Sequence, residues 1–169
     1  MSDQIEVERK WRLENNWVAD WLHGQWKHLS QAYVVTDPGE LRVRSDGKLY
    51  WMTAKTDGGL QRQEWEMEIP EWVFHQLYEA TQWRITKRRC AVQQAGQIWE
   101  VDVYGGELSG LVIVEAEFIE RDSMIGLTGT ELRQRALARE LFPGFGPAVE
   151  VTEDSRYKNK SLAVYGLPE

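Results

Sequence analysis

The chain has 169 residues, of which 42% are hydrophobic, and it carries a formal net charge of -7 at pH 7. This length is most simply one domain, spanning residues 1–169, and the hydrophobic fraction is large enough to build a core. The acidic balance argues against a nucleic-acid partner, because general nucleic-acid-binding proteins are usually basic.

The first predicted element is a strand near residues 4–13 with one charged and one apolar face. Residues two apart in a strand point to the same side of the sheet. Glu6, Glu8 and Lys10 therefore share one face, whereas Val7 and Trp11 point the other way.

The same alternation recurs along the chain and predicts seven further strands, near residues 29–36, 40–45, 48–55, 60–69, 84–92, 97–104 and 111–120. Their charged faces carry Arg42 with Arg44; Arg62 with Glu64, Glu66 and Glu68; Lys87 with Arg89; Glu100 with Asp102; and Glu115 with Glu117.

Turn residues and helical spacing fill the remaining segments. Asp46-Gly47 and Asp57-Gly58-Gly59 are hairpin signals, and short returns imply antiparallel neighbours. Apolar spacing predicts helices near residues 14–26 and 71–80, and two further helices are expected near residues 130–141 and 155–165. Thr128 with Glu131 resembles a capping box that opens the third of these helices.

These elements predict a mainly β protein with flanking helices, an α+β class. Eight antiparallel strands can close into a barrel. The alternation fits a barrel with charges outside in water as well as one with a charged lumen. We favour the charged lumen, because acids and bases are sorted by strand instead of being mixed with neutral polar residues. The helices, including a C-terminal one, would then cover the apolar outer face.

The charged faces carry chemistry suited to phosphoryl transfer. Arginine and lysine are the usual partners of phosphate oxygens. Clustered carboxylates are suited to hard cations such as Mg²⁺ or Mn²⁺. Cations for phosphate and carboxylates for metal are the equipment of metal-assisted phosphoryl transfer.

The motifs, in chain order, resemble those of the CYTH family, the triphosphate tunnel metalloenzymes. Glu6-Val7-Glu8-Arg9-Lys10 matches the signature Glu-x-Glu-x-Lys of that family. The later motifs that resemble family strands are Leu41-Arg42-Val43-Arg44, Thr53-Ala54-Lys55, Gln63-Glu64-Trp65-Glu66, Lys87-Arg88-Arg89, Glu100-Val101-Asp102, Glu115-Ala116-Glu117-Phe118 and the closing segment from Thr152 to Lys160. Residues 121–149 show little that matches, and their role is left open.

The resemblance implies an eight-stranded antiparallel tunnel that binds a triphosphate beside divalent metal, and it is nearest to small bacterial inorganic triphosphatases. It implies the following roles. Phosphate would be bound by Lys10, Arg42, Arg44, Lys55, Arg62, Lys87, Arg89 and Lys158. Mg²⁺ or Mn²⁺ would be held by Glu6, Glu8, Glu115 and Glu117. Glu64 and Glu66, with Asp102, would hold a second metal or orient water, and Lys10 would take part in the reaction.

The sequence leaves three functions open. The first is metal-dependent hydrolysis of a triphosphate, with inorganic tripolyphosphate ahead of nucleoside triphosphates and thiamine triphosphate. The second is an adenylyl cyclase of the class IV type, for which the sequence offers no nucleoside-binding motif. The third is a polyphosphate-binding module without catalysis, which the intact set of carboxylates argues against.

The remaining expectations concern location and partners. Cys90 is the only cysteine, which excludes an internal disulfide and suits the reducing cytoplasm. The N-terminus shows no signal peptide, and the longest apolar run, Leu111 to Val114, is too short to cross a membrane. We expect a small-molecule triphosphate as the partner and no membrane; a homodimer is compatible with the sequence.

Overall fold

The computed structural model of the chain describes residues 6–14, 25–56, 64–119 and 129–169. Within these ranges it contains nine strands and three α-helices. In chain order they are β1 (Glu6–Leu13), β2 (Trp26–Val35), β3 (Glu40–Ser45), β4 (Tyr50–Lys55), β5 (Glu64–Glu68), α1 (Glu71–Glu79), β6 (Arg84–Gln94), β7 (Gln97–Tyr104), β8 (Val112–Ile119), α2 (Gly129–Ala138), β9 (Ala148–Glu150) and α3 (Asn159–Tyr165).

The eight predicted strands are all present, but the predicted closed barrel of eight is corrected in two respects. A ninth strand, β9, forms in the segment that the motifs left unassigned. The strands follow the hydrogen-bonded order β5-β4-β3-β2-β6-β7-β8-β1-β9, so β5 and β9 end the sheet within the described ranges and the sheet is not closed.

The ninth strand has a simple physical origin. β8 pairs with β1 along one edge, and β9 pairs antiparallel with the last three residues of β1 along the other. Because both edges of this part of β1 are occupied, no further strand can add there. At the other end of the order, β5 is only five residues long and pairs with β4.

The helices follow the predictions with shorter bounds. α1 matches its predicted range, whereas α2 ends at Ala138 and α3 begins only at Asn159. A separate 3-10 turn covers Ser155–Tyr157 because the Asp154 side chain accepts a hydrogen bond from the Arg156 backbone N–H. Most of the predicted helix 14–26, the Asp57-Gly59 turn and Thr128 lie outside the described residues.

Two turns carry positive φ angles, as tight hairpins require. Ala95 and Gly96 have φ of 52° and 72° and join β6 to β7, which suits the twist of adjacent strands. Gly47 has a φ of 87°, and the Asp46 carboxylate accepts hydrogen bonds from the next backbone N–H groups, on Lys48 and Leu49. Backbone hydrogen bonding, from Leu49 above all, lowers the pKa of Asp46.

By its internal contacts the chain separates into two compact units. The first comprises residues 1–25, 90–102 and 111–153, and the second comprises residues 26–89, 103–110 and 154–169. The single domain stays a prediction. No helix within the described ranges is long and apolar enough to cross a membrane.

In the second unit, α1 covers the apolar face of β2, β3 and β4. Val43 and Ala32 are fully buried against Phe74 and Ile69, with Met52 and other apolar side chains packed around them. Burying this face leaves the alternate residues of the same strands, which include the predicted cations, on the opposite side of the sheet.

In the first unit, the apolar face of β1, β7 and β8 packs under α2 and the turn at residues 143–145. Trp99 is completely buried between Trp11 and Phe145, with ring centroids 5.7 and 5.8 Å away. Its indole N–H donates to the Gln94 carbonyl at 3.1 Å, so the one polar atom of the ring is satisfied.

One charged residue, Arg9, lies on this apolar face of β1. Its guanidinium donates to the carbonyls of Ala136, Leu137 and Arg139 at the C-terminal end of α2, and it forms a two-point pair with the Glu150 carboxylate of β9. A cation is favourable at this end of a helix, where the last carbonyls lack partners. Arg9 therefore connects β1, α2 and β9.

Candidate functional site

The charged face of β1 and β8 holds a lysine between two carboxylates. Lys10 lies opposite Glu115 in the strand register, and its Nζ is 3.0 Å from Glu115 Oε1. The same Nζ is 2.7 Å from Glu8 Oε1, two residues earlier on β1. Alternation brings Glu8 and Lys10 to one face, and antiparallel pairing adds a carboxylate 105 positions away.

This cluster is largely removed from solvent, which strengthens its electrostatics. The side chain of Lys10 is 15% exposed and that of Glu115 is 8% exposed. Burial lowers the pKa of Lys10, but the carboxylates of Glu115 and Glu8 together raise it by more, so its net pKa is raised. Lys10 is therefore an ammonium at neutral pH, and it can donate hydrogen bonds to an anion.

The other predicted carboxylates of the first unit lie on β7 and β8. Asp102 is completely buried and Glu100 is half-buried on the same face of β7, whereas Glu117 is exposed and lies opposite Glu8 in the register. The side chains of Glu6 and Glu64 lie outside the described residues.

The donor set has the chemistry that a hard divalent cation requires. Glu8, Glu115 and Glu117 offer only carboxylate oxygens, which Mg²⁺ and Mn²⁺ prefer. Within residues 6–14, 25–56, 64–119 and 129–169, no three acidic, histidine or cysteine side chains are already gathered as a metal cluster. The metal ligands named from the sequence stay a prediction.

In the second unit, β3, β4 and β5 gather an arginine, an aromatic ring, a hydroxyl and a carboxylate. Arg44 is opposite Trp51 in the register, and its guanidinium carbon lies 5.1 Å from the centre of the Trp51 ring. Arg44 Nη2 is also 3.6 Å from Glu66 Oε2, which in turn accepts a hydrogen bond of 2.9 Å from the Thr53 hydroxyl.

Two arginines on this face have an unsatisfied donor. The Nε atoms of Arg42 and Arg44 are buried and have no hydrogen-bond partner in the described structure; Arg12 Nε, in the first unit, is the third such atom. A buried N–H without a partner costs about 1–3 kcal/mol, so such donors are usually matched by an acceptor in the functional state. Arg42 and Arg44 lie two apart on β3, as their predicted role in binding phosphate requires.

The remaining cations that are predicted to bind phosphate lie on β4, on β6 and immediately before α3. Lys87 is only 3% exposed, and its Nζ lies 5.2 Å from the centre of the Tyr104 ring. The Tyr104 hydroxyl donates to Asn159 Oδ1 at 2.6 Å, at the start of α3. Arg89 is half-buried two residues after Lys87 on β6.

Lys55 is half-buried on the same side of β4 as Thr53 and lies opposite Glu64 in the register. Lys158 is exposed immediately before α3. Arg62 lies outside the described residues. The second unit thus brings Arg44 and Glu66 into contact and places Arg42 beside them, whereas Lys158 is on a separate element.

Sequence reasoning missed the residues that support these charged groups. Thr152 accepts a hydrogen bond from the Lys10 backbone N–H at 3.0 Å and donates to Glu150 at 2.8 Å. Arg12 continues the charged face of β1 beyond Lys10 and is not among the predicted site residues. Arg9 could have been recognised from the sequence, because it lies on the otherwise apolar face of its strand, and a charge on such a face indicates a buried pair.

The chain is similar to known proteins over most of its length. No family model matches it. It is 43% identical over 140 residues to an inorganic triphosphatase of Nitrosomonas europaea, covering 80% of this chain and 83% of the relative. It is 32% identical over 136 residues to an inorganic triphosphatase of Acetivibrio thermocellus, covering 78% of this chain and 77% of the relative.

The fold agrees with these sequence matches. A crystal structure of an inorganic triphosphatase superposes with a TM-score of 0.69 at 36% identity, covering 97% of each chain. The mostly antiparallel sheet with few helices is therefore the fold of that enzyme, and the antiparallel β fold expected from the motifs is confirmed.

Proposed function

Since the chain belongs to the CYTH family of inorganic triphosphatases, we propose that it hydrolyses inorganic tripolyphosphate to pyrophosphate and orthophosphate with the help of a divalent metal ion. The observation that carries this proposal is the 43% identity to a named inorganic triphosphatase over 83% of its length. The second relative has the same activity, so the adenylyl cyclase and thiamine triphosphatase alternatives are not favoured.

The metal would be held by carboxylates of the first unit: Glu6, Glu8, Glu115 and Glu117. Their oxygen-only chemistry favours Mg²⁺ or Mn²⁺. When bound, such an ion neutralises phosphate charge and lowers the pKa of a water molecule. Lys10 contacts two members of this set, which supports a role for its ammonium in binding a phosphate oxygen beside the metal.

The protein cations would bind and orient the phosphoryl groups. Arg42 and Arg44 offer buried, unpaired Nε–H donors, and Lys87 and Arg89 are further cations on β6.

In the hydrolysis, the oxygen of water bonds to the phosphorus of one terminal group and the bridging P–O bond breaks. The electron pair of that bond leaves with pyrophosphate, and the water proton is released or taken up by an acceptor oxygen. Orienting cations reduce the entropic cost of this displacement.

The test is release of orthophosphate from tripolyphosphate, with Mg²⁺ and with excess chelator. We expect activity with metal and its loss in chelator. Glu117→Gln should reduce kcat/KM by at least ~100-fold, about 2.7 kcal/mol of activation free energy, because it removes one charge and keeps the side-chain size.

Glu107→Gln is the matched control, because Glu107 is an equally exposed acid in the turn before β8 and outside the proposed metal set. It should leave kcat/KM unchanged. Full turnover in chelator, or normal activity of a folded Glu117→Gln variant, contradicts the metal role. Cyclic AMP formed from ATP would instead support the cyclase.

A cytoplasmic location is part of the proposal, because the one cysteine of the chain, Cys90, is buried and cannot form an internal disulfide, as suits a reducing compartment.

A further inference from the structure

The Arg44 guanidinium is contacted by Trp51 and Glu66, and Glu66 is held in turn by Thr53. Trp51 lies beneath its plane at 5.1 Å, and Glu66 pairs with its Nη2 at 3.6 Å. The Thr53 hydroxyl donates to the same Glu66 oxygen at 2.9 Å. Since Thr53 is completely buried, this hydrogen bond fixes the carboxylate from the protein side.

The strand register explains why these four side chains meet. Arg44 is paired with Trp51 across β3 and β4, and Thr53 is paired with Glu66 across β4 and β5. Cross-strand partners on one face of an antiparallel sheet have closely spaced side chains. The backbone pairing therefore brings these side chains together, although Glu66 itself is 39% exposed.

The contacts leave one part of Arg44 unused. The aromatic ring occupies a face of the guanidinium and Glu66 occupies Nη2, while the buried Nε–H has no partner. An arginine held in this way has less rotational freedom to lose when a ligand arrives. Pre-ordering of this kind raises affinity because less entropy is lost on binding.

From this geometry, and resting on the proposed function, we propose that Trp51, Glu66 and Thr53 are positioning residues that hold Arg44 so that its guanidinium faces a phosphate oxygen of the substrate. Trp51 acts by stacking and Glu66 by charge pairing, while Thr53 acts through Glu66. Glu66 is thereby assigned to Arg44 and not to a second metal ion.

The proposal predicts a defect in substrate binding that passes through Arg44. Trp51→Leu removes the stacking face and should raise the KM for tripolyphosphate roughly fivefold, the scale of one cation–π contact, with little change in kcat. Trp51→Phe retains an aromatic face and should restore most of the affinity. Thr53→Val should also raise KM, and Thr53→Ser, which keeps the hydroxyl, should not.

The matched control is Trp65→Leu. Trp65 is on the neighbouring strand β5 at the opposite parity to Glu66, and it is 48% exposed. The same chemical change there should leave KM unchanged. Circular dichroism and thermal unfolding identify any variant that does not fold, and if Trp51→Leu is such a variant, the Thr53→Val and Thr53→Ser pair decides.

A double-mutant cycle separates positioning from a general structural effect. Binding of inorganic tripolyphosphate is measured by calorimetry in excess chelator for Trp51→Leu, Arg44→Ala and the double variant, and likewise for Glu66→Gln with Arg44→Ala. If the residues act through Arg44, the second substitution adds little once Arg44 is absent. The proposal is overturned if Trp51→Leu and Glu66→Gln weaken binding by the same factor whether Arg44 is present or replaced by alanine. It is also overturned if KM is unchanged in Trp51→Leu and Thr53→Val.

These outcomes are distinct from failure of the proposed function. If the wild-type protein binds tripolyphosphate but releases no phosphate from it, the proposed hydrolysis is wrong and the binding cycle still decides the role of Trp51. If Arg44→Ala weakens binding and Trp51→Leu does not, only the positioning role is wrong. If the wild-type protein neither binds tripolyphosphate, with Mg²⁺ or in chelator, nor hydrolyses it, both are overturned.

Discussion

Lys10 is a mostly buried cation whose surroundings keep it charged. Burial alone would favour the neutral amine, yet Glu8 and Glu115 lie within 3.0 Å of its Nζ and raise its pKa. Substitution of Lys10 therefore affects two carboxylates as well as the substrate, because their shared counter-ion is lost.

Lys10→Ala should lower kcat/KM for tripolyphosphate by ~100-fold or more, since it removes a phosphate-binding ammonium and leaves Glu8 and Glu115 without their shared cation. Phosphate-release kinetics measure this effect. Lys48→Ala, at the exposed turn between β3 and β4, removes the same charge and should have no effect. An unchanged kcat/KM in Lys10→Ala, or a loss explained wholly by unfolding, contradicts the role.

Glu150 should make stability depend on pH. Hydrogen bonding from Arg9, opposed by burial and assisted by Thr152, lowers the pKa of Glu150 from its ordinary value of 4.5. With the folded pKa below the unfolded one, the stabilisation is present above about pH 4.5 and is lost as pH falls through the lowered folded value.

Glu150→Gln should therefore lower the free energy of unfolding at pH 7 and make little difference near pH 2, where Glu150 is neutral like glutamine. Because the carboxylate is 42% exposed, solvent screening limits the expected loss to about 1 kcal/mol. Urea unfolding at the two pH values tests this, with Glu153→Gln as an exposed neighbouring control. An equal loss at both pH values would show that charge is not the cause.

At the scale of elements, α2 depends on a contact from β1. The helix is polar on average, and its apolar contribution to the core includes the fully buried Ala136. Arg9 supplies donors to the carbonyls at its end and pairs with Glu150 on β9. One side chain therefore links three elements that are distant in sequence.

Arg9→Met should reduce the free energy of unfolding by about 2–4 kcal/mol, because buried carbonyls lose their donor and Glu150 loses its partner. Arg84→Met is a matched control: Arg84 also donates to carbonyls at the end of a helix, those of Glu79, the last residue of α1, and of Thr81, but it is exposed. Urea unfolding should show less than about 1 kcal/mol for the control. Equal losses in the two variants would refute a special role for Arg9.

At the scale of the whole molecule, the proposed phosphate-binding residues are spread over several strands. Lys10 is on β1, Arg42 and Arg44 are on β3, Lys55 is on β4, and Lys87 and Arg89 are on β6. Within the second unit, cations on three separate strands would contact successive phosphoryl groups, whereas a short substrate would reach only some of them.

Tripolyphosphate should therefore be hydrolysed with a higher kcat/KM than pyrophosphate, and the shorter substrate should lose kcat as well as affinity, because remote phosphates help to position the reacting one. ATP should rank below tripolyphosphate, since no set of residues for a base is evident. Steady-state kinetics with matched Mg²⁺ decide the order. Equal kcat/KM for pyrophosphate and tripolyphosphate would contradict it, as would a strong preference for one nucleobase.

Local sequence patterns were sufficient to predict the strands and to tell which residues of each strand share a face. Period-two alternation placed Glu8 with Lys10 and Arg42 with Arg44, and both pairs lie on strands as expected. Turn chemistry at Asp46-Gly47 located the hairpin between β3 and β4. These features depend on neighbours within a few positions, so the sequence by itself determined them. The roles of the individual site residues stay predictions.

Only the tertiary structure decided how distant segments meet. β9 forms because β1 leaves an edge open to three residues that carry no strand pattern of their own. Glu115 reaches Lys10, and Thr53 and Trp51 reach Glu66 and Arg44, through strand registers that no single segment encodes. Alternation gives the face of a side chain, whereas its partners depend on which strand lies alongside and in which register. That choice is made by burial of the apolar faces, a property of the folded chain as a whole.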